Sequence, residues 1–113
     1  MGGSLSNYIG IHRRRAGISQ RELGEIVGYG KATIFRHEHV LALPPLLAAL
    51  RYEVLFLTPV SNLFAGMREA IEDEVEERLE ELEKELRRRT SHYARKQTLD
   101  WIAARRTALV SHR

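Results

Sequence analysis

Between Ser19 and Glu38 the chain reads SQRELGEIVGYGKATIFRHE. It holds two helix-like stretches too short to stand alone in water, where isolated helices under ~12–15 residues are marginal. Ser19 and Glu22 have the S-x-x-E spacing of a capping box: the Ser side chain accepts the N–H of residue 22 and Glu22 reaches back. Leu23, Ile26 and Val27 then form an apolar face at i, i+3, i+4. Gly28 ends this stretch, at a position suited to positive φ. A second stretch begins near Gly30–Lys31, runs to His37 or Glu38, and is anchored by Ile34. Such a pair folds only if each helix buries its apolar side against the other and its neighbours.

The same logic extends along the chain. Ser6 or Asn7 caps a first helix over about 6–16, stopped by Gly17. Pro44 and Pro45 open a fourth helix, expected to turn Leu46, Leu47, Leu50 and Val54 inward. Thr58-Pro59 opens a short fifth through Val60, Leu63 and Phe64, after which Gly66 breaks or loosens the chain. From Met67 to about Arg89, Met67, Ile71, Val75, Leu79, Leu82 and Leu86 recur every three or four residues. This stripe is narrow, like a coiled-coil seam, but too short and irregular for a long coiled coil. Glu76, Arg78, Glu80 and Lys84 are spaced for i,i+4 pairing. A last helix over about 98–110 carries Leu99, Trp101, Ile102, Leu109 and Val110. The expected fold is all-α, with a five-helix region 1–65 and a helical region 66–113.

Charge divides the chain in the same way. Residues 1–65 hold seven Lys/Arg against four Asp/Glu, residues 66–86 three against ten, and residues 87–113 eight against one. A basic head, acidic middle and basic tail suit separate roles. The tail, RRRTSHYARK with Arg105 and Arg106, either pairs with the acidic helix or touches nucleic-acid phosphates; the first is preferred. With no cysteine, disulfides, thiolate metal sites and a Cys nucleophile are excluded. The N-terminus lacks a signal-peptide core and the apolar run 41–50 is far too short to span a bilayer, so a cytoplasmic location is expected. His12, His37, His39, His92 and His112 lack helical ligand spacing and a carboxylate cluster. No nucleophile–base set, paired carboxylates or phosphate loop appears. Neither an enzyme, a metal nor a cofactor is therefore expected.

Two short helices crossing at a tight Gly turn have the form of a helix-turn-helix. A helix ~10–12 Å wide fits a major groove ~12 Å wide, and the preceding helix crosses the backbone to hold it there. With the apolar residues turned inward, the outer face of the second helix is Lys31, Ala32, Phe35 and Arg36. Arg36 is the better base reader, because its fork can bond guanine bidentately. Gln20 and Thr33 suit backbone positioning. Phe35 either presses on a thymine methyl or folds back into the core.

RRRAGISQRELGEIVG, then IFRHE, Pro44 and PVSNLF resemble the Cro/repressor-type, XRE-like helix-turn-helix family over about residues 5–64. The resemblance implies a sequence-specific regulator of transcription that binds double-stranded DNA. It also implies that Gln20 bonds a phosphate and that Arg13 pairs with Glu38. Three positions depart from the pattern: Gly30 replaces a Ser/Thr cap, Phe35 a small or polar residue, and Val40 a turn Gly. Because such readers often span two half-sites about 34 Å apart, a homodimer is expected. Ile71, Val75, Leu79, Leu82, Leu86, Trp101 and Ile102 are its expected contacts. A repressor on a palindromic operator is the leading expectation. The alternatives are an antitoxin-type regulator whose 66–113 region binds a second protein, and an interaction adaptor without DNA binding.

Overall fold

A computed structural model of the chain describes residues 7–89 and 96–112. The described residues form seven helices and no strand: α1 Ile9–Ala16, α2 Gln20–Val27, α3 Lys31–Glu38, α4 Leu46–Phe56, α5 Val60–Leu63, α6 Ala65–Arg89 and α7 Lys96–His112. The chain divides into two compact units between Glu69 and Ala70.

In the first unit, local chemistry sets the helix ends. Asn7 Oδ1 accepts the Ile9 N–H at 3.0 Å, which starts α1 later than position 6. Both bonds of the capping box are present. Ser19 Oγ accepts the Glu22 N–H at 3.0 Å, and a Glu22 carboxylate oxygen accepts the Ser19 N–H at 2.8 Å. A cap of this kind is worth about 1 kcal/mol, and its hydrogen bonds hold the Glu22 carboxyl below its usual range. Gly28 closes α2 at φ 88°, its N–H on the Gly24 carbonyl at 2.7 Å. The Tyr29 N–H bonds the same carbonyl at 2.8 Å. This close return explains Gly24: a Cβ there would overlap the Tyr29 carbonyl oxygen.

The core of this unit is Ile9, Leu23, Val27, Ile34, Tyr52, Leu63 and Phe64, with Ile18, Tyr29, Leu55, Phe56, Val60 and Met67 against it. It draws on every helix from α1 to α6, so α2 and α3 are fixed from behind. The α4 expectation needs correction. Leu46, Leu47, Leu50 and Val54 are exposed, while Ala48, Ala49 and Tyr52 are buried. LLAALRYEVLF is apolar around most of its circumference, so hydrophobicity does not choose the inward side. Two alanines allow close approach, and the Tyr52 hydroxyl has a buried partner waiting on α3. Gly66 lies within the first turn of α6 and does not break it.

In the second unit, α7 is tied to α6 by Arg106, whose guanidinium reaches Glu83 at 2.7 Å and Glu80 at 3.3 Å. Bonds from Arg87 and Arg106 hold the Glu83 carboxyl below the usual carboxylate range. Along α6, Arg78–Glu74, Lys84–Glu80 and Arg87–Glu83 pair one turn apart, and Arg88 and Arg89 both meet Glu85. Leu86 and Ile102 are buried within the single chain. Both were expected in a dimer face; their own unit already covers them. Ile71, Val75, Leu82 and Trp101 remain exposed, as does Val110, while Leu79 is half-buried.

Candidate nucleic-acid interface

The helix α3 is held by polar locks on its inner side. The first lies at its C-terminal end. Arg13 of α1 donates from Nε to Glu38 at 2.6 Å and from Nη2 at 3.3 Å. The two side chains are 13% and 4% exposed. Arg13 also donates to the Ile18 carbonyl at 3.1 Å, in the loop before α2. Gln20 Nε2 of α2 adds a bond to Glu38 at 3.2 Å. One carboxylate thus joins α1, α2 and α3. The Gln20 amide has a second N–H, so this bond does not use up its donor capacity.

The second lock was not legible in the sequence. His37 is buried, and its Nδ1 lies 2.8 Å from the Tyr52 hydroxyl of α4. Burial lowers the His37 pKa from its usual 6.5, favouring the neutral ring that can share a proton with a phenol. Burial, with the nearby Glu38 charge second, raises the Tyr52 pKa far above the usual phenol value. The Tyr29 and Tyr52 rings each meet His37 edge-on, at 5.5 and 5.9 Å. Asn7 closes the set by donating to the His37 carbonyl at 2.9 Å, satisfying a carbonyl near the helix end. His37 looked like one histidine among five, and its partner is fifteen residues away.

With its inner side fixed, α3 turns Lys31, Ala32, Phe35 and Arg36 to solvent. Lys31 and Arg36 form no ion pair among the described residues. They line a hollow of about 420 Å³ with Gln20, Ala32, Phe35 and Leu41. Phe35 does not enter the core: it is 45% exposed and its ring lies 4.3 Å from that of His39. Leu41 lies beyond the helix and carries no signal in the sequence; it joins because its N–H returns to the Arg36 carbonyl at 2.9 Å. Thr33 is half-buried, and its N–H caps onto the Gly30 carbonyl at 3.1 Å. Gly30 itself gives α3 no side-chain cap.

Val40, just past α3, has φ 56°. A β-branched residue is costly in this left-handed region, by about 1–2 kcal/mol. At this turn the Val40 and Leu41 N–H groups return to the His37 and Arg36 carbonyls at 3.3 and 2.9 Å.

Among the described residues, no group of three or more His, Asp or Glu gathers closely enough to hold a metal ion, and no helix is long and apolar enough to cross a membrane. His92 lies outside the described residues. Residues 90–95 of the basic tail lie outside them too, whereas Arg106 pairs with the acidic helix. Comparison with protein-family models, curated proteins and solved structures returns no match to this chain.

Proposed function

We propose that this chain is a sequence-specific, double-stranded-DNA-binding regulator of transcription that works as a homodimer and represses by occupying a palindromic operator. The observation that carries this reading is the division of α3 into two sides. The inner side is fixed by Ile34, His37 and Glu38, and the outer side offers Lys31 and Arg36 beside Gln20. A fixed rod with free cations is what groove reading needs, because a mobile helix would lose entropy as it docks. Gln20 and Lys31 suit phosphate oxygens, which set register; Arg36 suits a guanine edge. Phe35 adds apolar area suited to a thymine methyl.

The exposed apolar residues of the second unit, Ile71, Val75, Leu82, Trp101 and Val110, support a protein interface there, and a second copy of the chain is the occupant that a palindrome requires. Selection of bound duplexes from a random DNA pool tests the whole reading. A two-fold motif recovered at moderate salt supports it. No enrichment over a chain carrying both Lys31→Ala and Arg36→Ala would defeat it and leave the adaptor reading.

A further inference from the structure

The outward face of α3 carries one large side chain that cannot bond a base. Phe35 is 45% exposed there, with Ala32 one turn before it and His39 one turn after it. The His39 N–H returns to the Phe35 carbonyl at 3.1 Å, and the two rings lie 4.3 Å apart, tilted by 41°. The exposed ring therefore has a neighbour to pack against at the end of its own helix. Leu41 lines the same hollow as Phe35 and Ala32 and adds a further apolar side chain. Lys31, Arg36 and Gln20 line it too, and among the described residues no acid does. Apolar lining beside two cations suits an apolar group carried on a polyanion.

In the major groove every base edge offers donors or acceptors, and among the four ordinary bases only thymine adds an apolar group, its C5-methyl. A phenyl ring has neither donor nor acceptor. Against a bare edge it strips water from polar atoms and returns no bond, which is unfavourable. Against a C5-methyl it buries apolar surface instead. 5-Methylcytosine carries the same methyl at the same ring position. Because the ring bonds neither O4 of thymine nor N4 of cytosine, it responds to the methyl and not to the base that bears it. Arg36, next to Phe35 in sequence and on the same hollow, has the fork for a guanine.

Resting on the DNA-binding reading, we propose that Phe35, packed on His39, is the specificity-determining residue for a C5-methylated pyrimidine beside the guanine that Arg36 reads, and that it accepts thymine and 5-methylcytosine alike. A site with cytosine at that position is then bound more tightly once the cytosine is methylated.

The probe is a duplex enriched by the chain from a random pool made with the four ordinary nucleotides. Arg36→Ala locates the guanine, as the position at which that variant loses preference. The flanking base pair is then made four ways: thymine or uracil opposite adenine, and 5-methylcytosine or cytosine opposite guanine. The members of each pair differ by one methyl per half-site. Burial of a methyl should tighten binding about four-fold for each one present, in both pairs. Phe35→Ala should bring both ratios to about one, while its preference for the guanine and its helical content by circular dichroism are unchanged. Ratios near one in the natural chain, a ratio confined to the thymine pair, or ratios that persist in Phe35→Ala would each overturn the proposal and leave DNA binding standing. No enriched duplex at all would defeat the DNA-binding reading, and this proposal with it.

Discussion

Arg13 and Glu38, twenty-five residues apart, meet through two hydrogen bonds, and Gln20 shares the same carboxylate. This junction fixes the end of α3 to the two helices that precede it. Removing the cation leaves a nearly buried carboxylate with the Gln20 amide for company. Arg13→Ala is expected to cost about 3–5 kcal/mol. Arg13→Ala with Glu38→Ala should cost less than the sum of the two single changes, because no charge is stranded. Urea unfolding of the four proteins checks both statements.

His37 predicts a pH dependence. Its folded pKa lies below the 6.5 of a free histidine. Below pH 6.5 the unfolded chain therefore binds more protons than the folded one. The stability from a neutral His37 is fully present above that pH and is lost as pH falls toward the folded pKa. His37→Gln keeps a polar partner for Tyr52 but does not titrate. Melting temperature against pH, from about 7.5 down to about 5, should fall less steeply in the variant than in the natural chain.

Val40 sits in the left-handed region at φ 56°. Val40→Gly relieves that strain while giving the unfolded chain more freedom, so the two effects oppose. The β-branched penalty is the larger, and a net gain of about 0.5–1 kcal/mol is expected. Denaturation midpoints measure it. A decrease would show that the Val40 side chain contributes more than its backbone costs.

On the α3 face, the two cations should behave differently. Arg36→Ala should weaken binding to a selected site by about 1–3 kcal/mol and relax preference at one base pair. Lys31→Ala should weaken all duplexes alike and reduce the slope of log affinity against log salt by about 0.9 for each phosphate that Lys31 neutralises. Fluorescence anisotropy at several salt concentrations separates base reading from phosphate binding.

In the second unit, Leu82 is exposed whereas Leu86, one turn on, is buried. For the proposed homodimer, Leu82→Asp is expected to raise the dissociation constant at least ten-fold while keeping helical content, because Leu82 is one of the exposed apolar side chains assigned to it. Leu86→Asp should unfold the unit instead, because a charge would enter its core. Sedimentation and circular dichroism on the two variants distinguish assembly from folding.

Much of the first unit was legible because its signals are local. Ser19 and Glu22 lie three residues apart, Gly17 and Gly28 mark the left-handed stops of α1 and α2, and Ile34 is the apolar anchor of α3. The outward set Lys31, Ala32, Phe35 and Arg36 then followed from helical period alone. Other features needed partners distant in sequence. Tyr52 is buried on α4, its hydroxyl 2.8 Å from His37 Nδ1, whereas Leu46, Leu47, Leu50 and Val54 are exposed. Phe35 stays outside, against His39, where the sequence left both options open. Leu86 and Ile102 looked like partner-facing residues because a stripe of apolar side chains does not say which chain will cover it.

The sequence by itself determined where α2 starts and where α1 and α2 stop, since a capping box and glycines act within one turn of themselves. Only the tertiary structure decided which way α4 faces and which of the α6–α7 residues remain uncovered. The ends of a helix are set by neighbours along the chain. The choice of buried side is settled by shape and hydrogen-bond partners that meet only once the chain has folded.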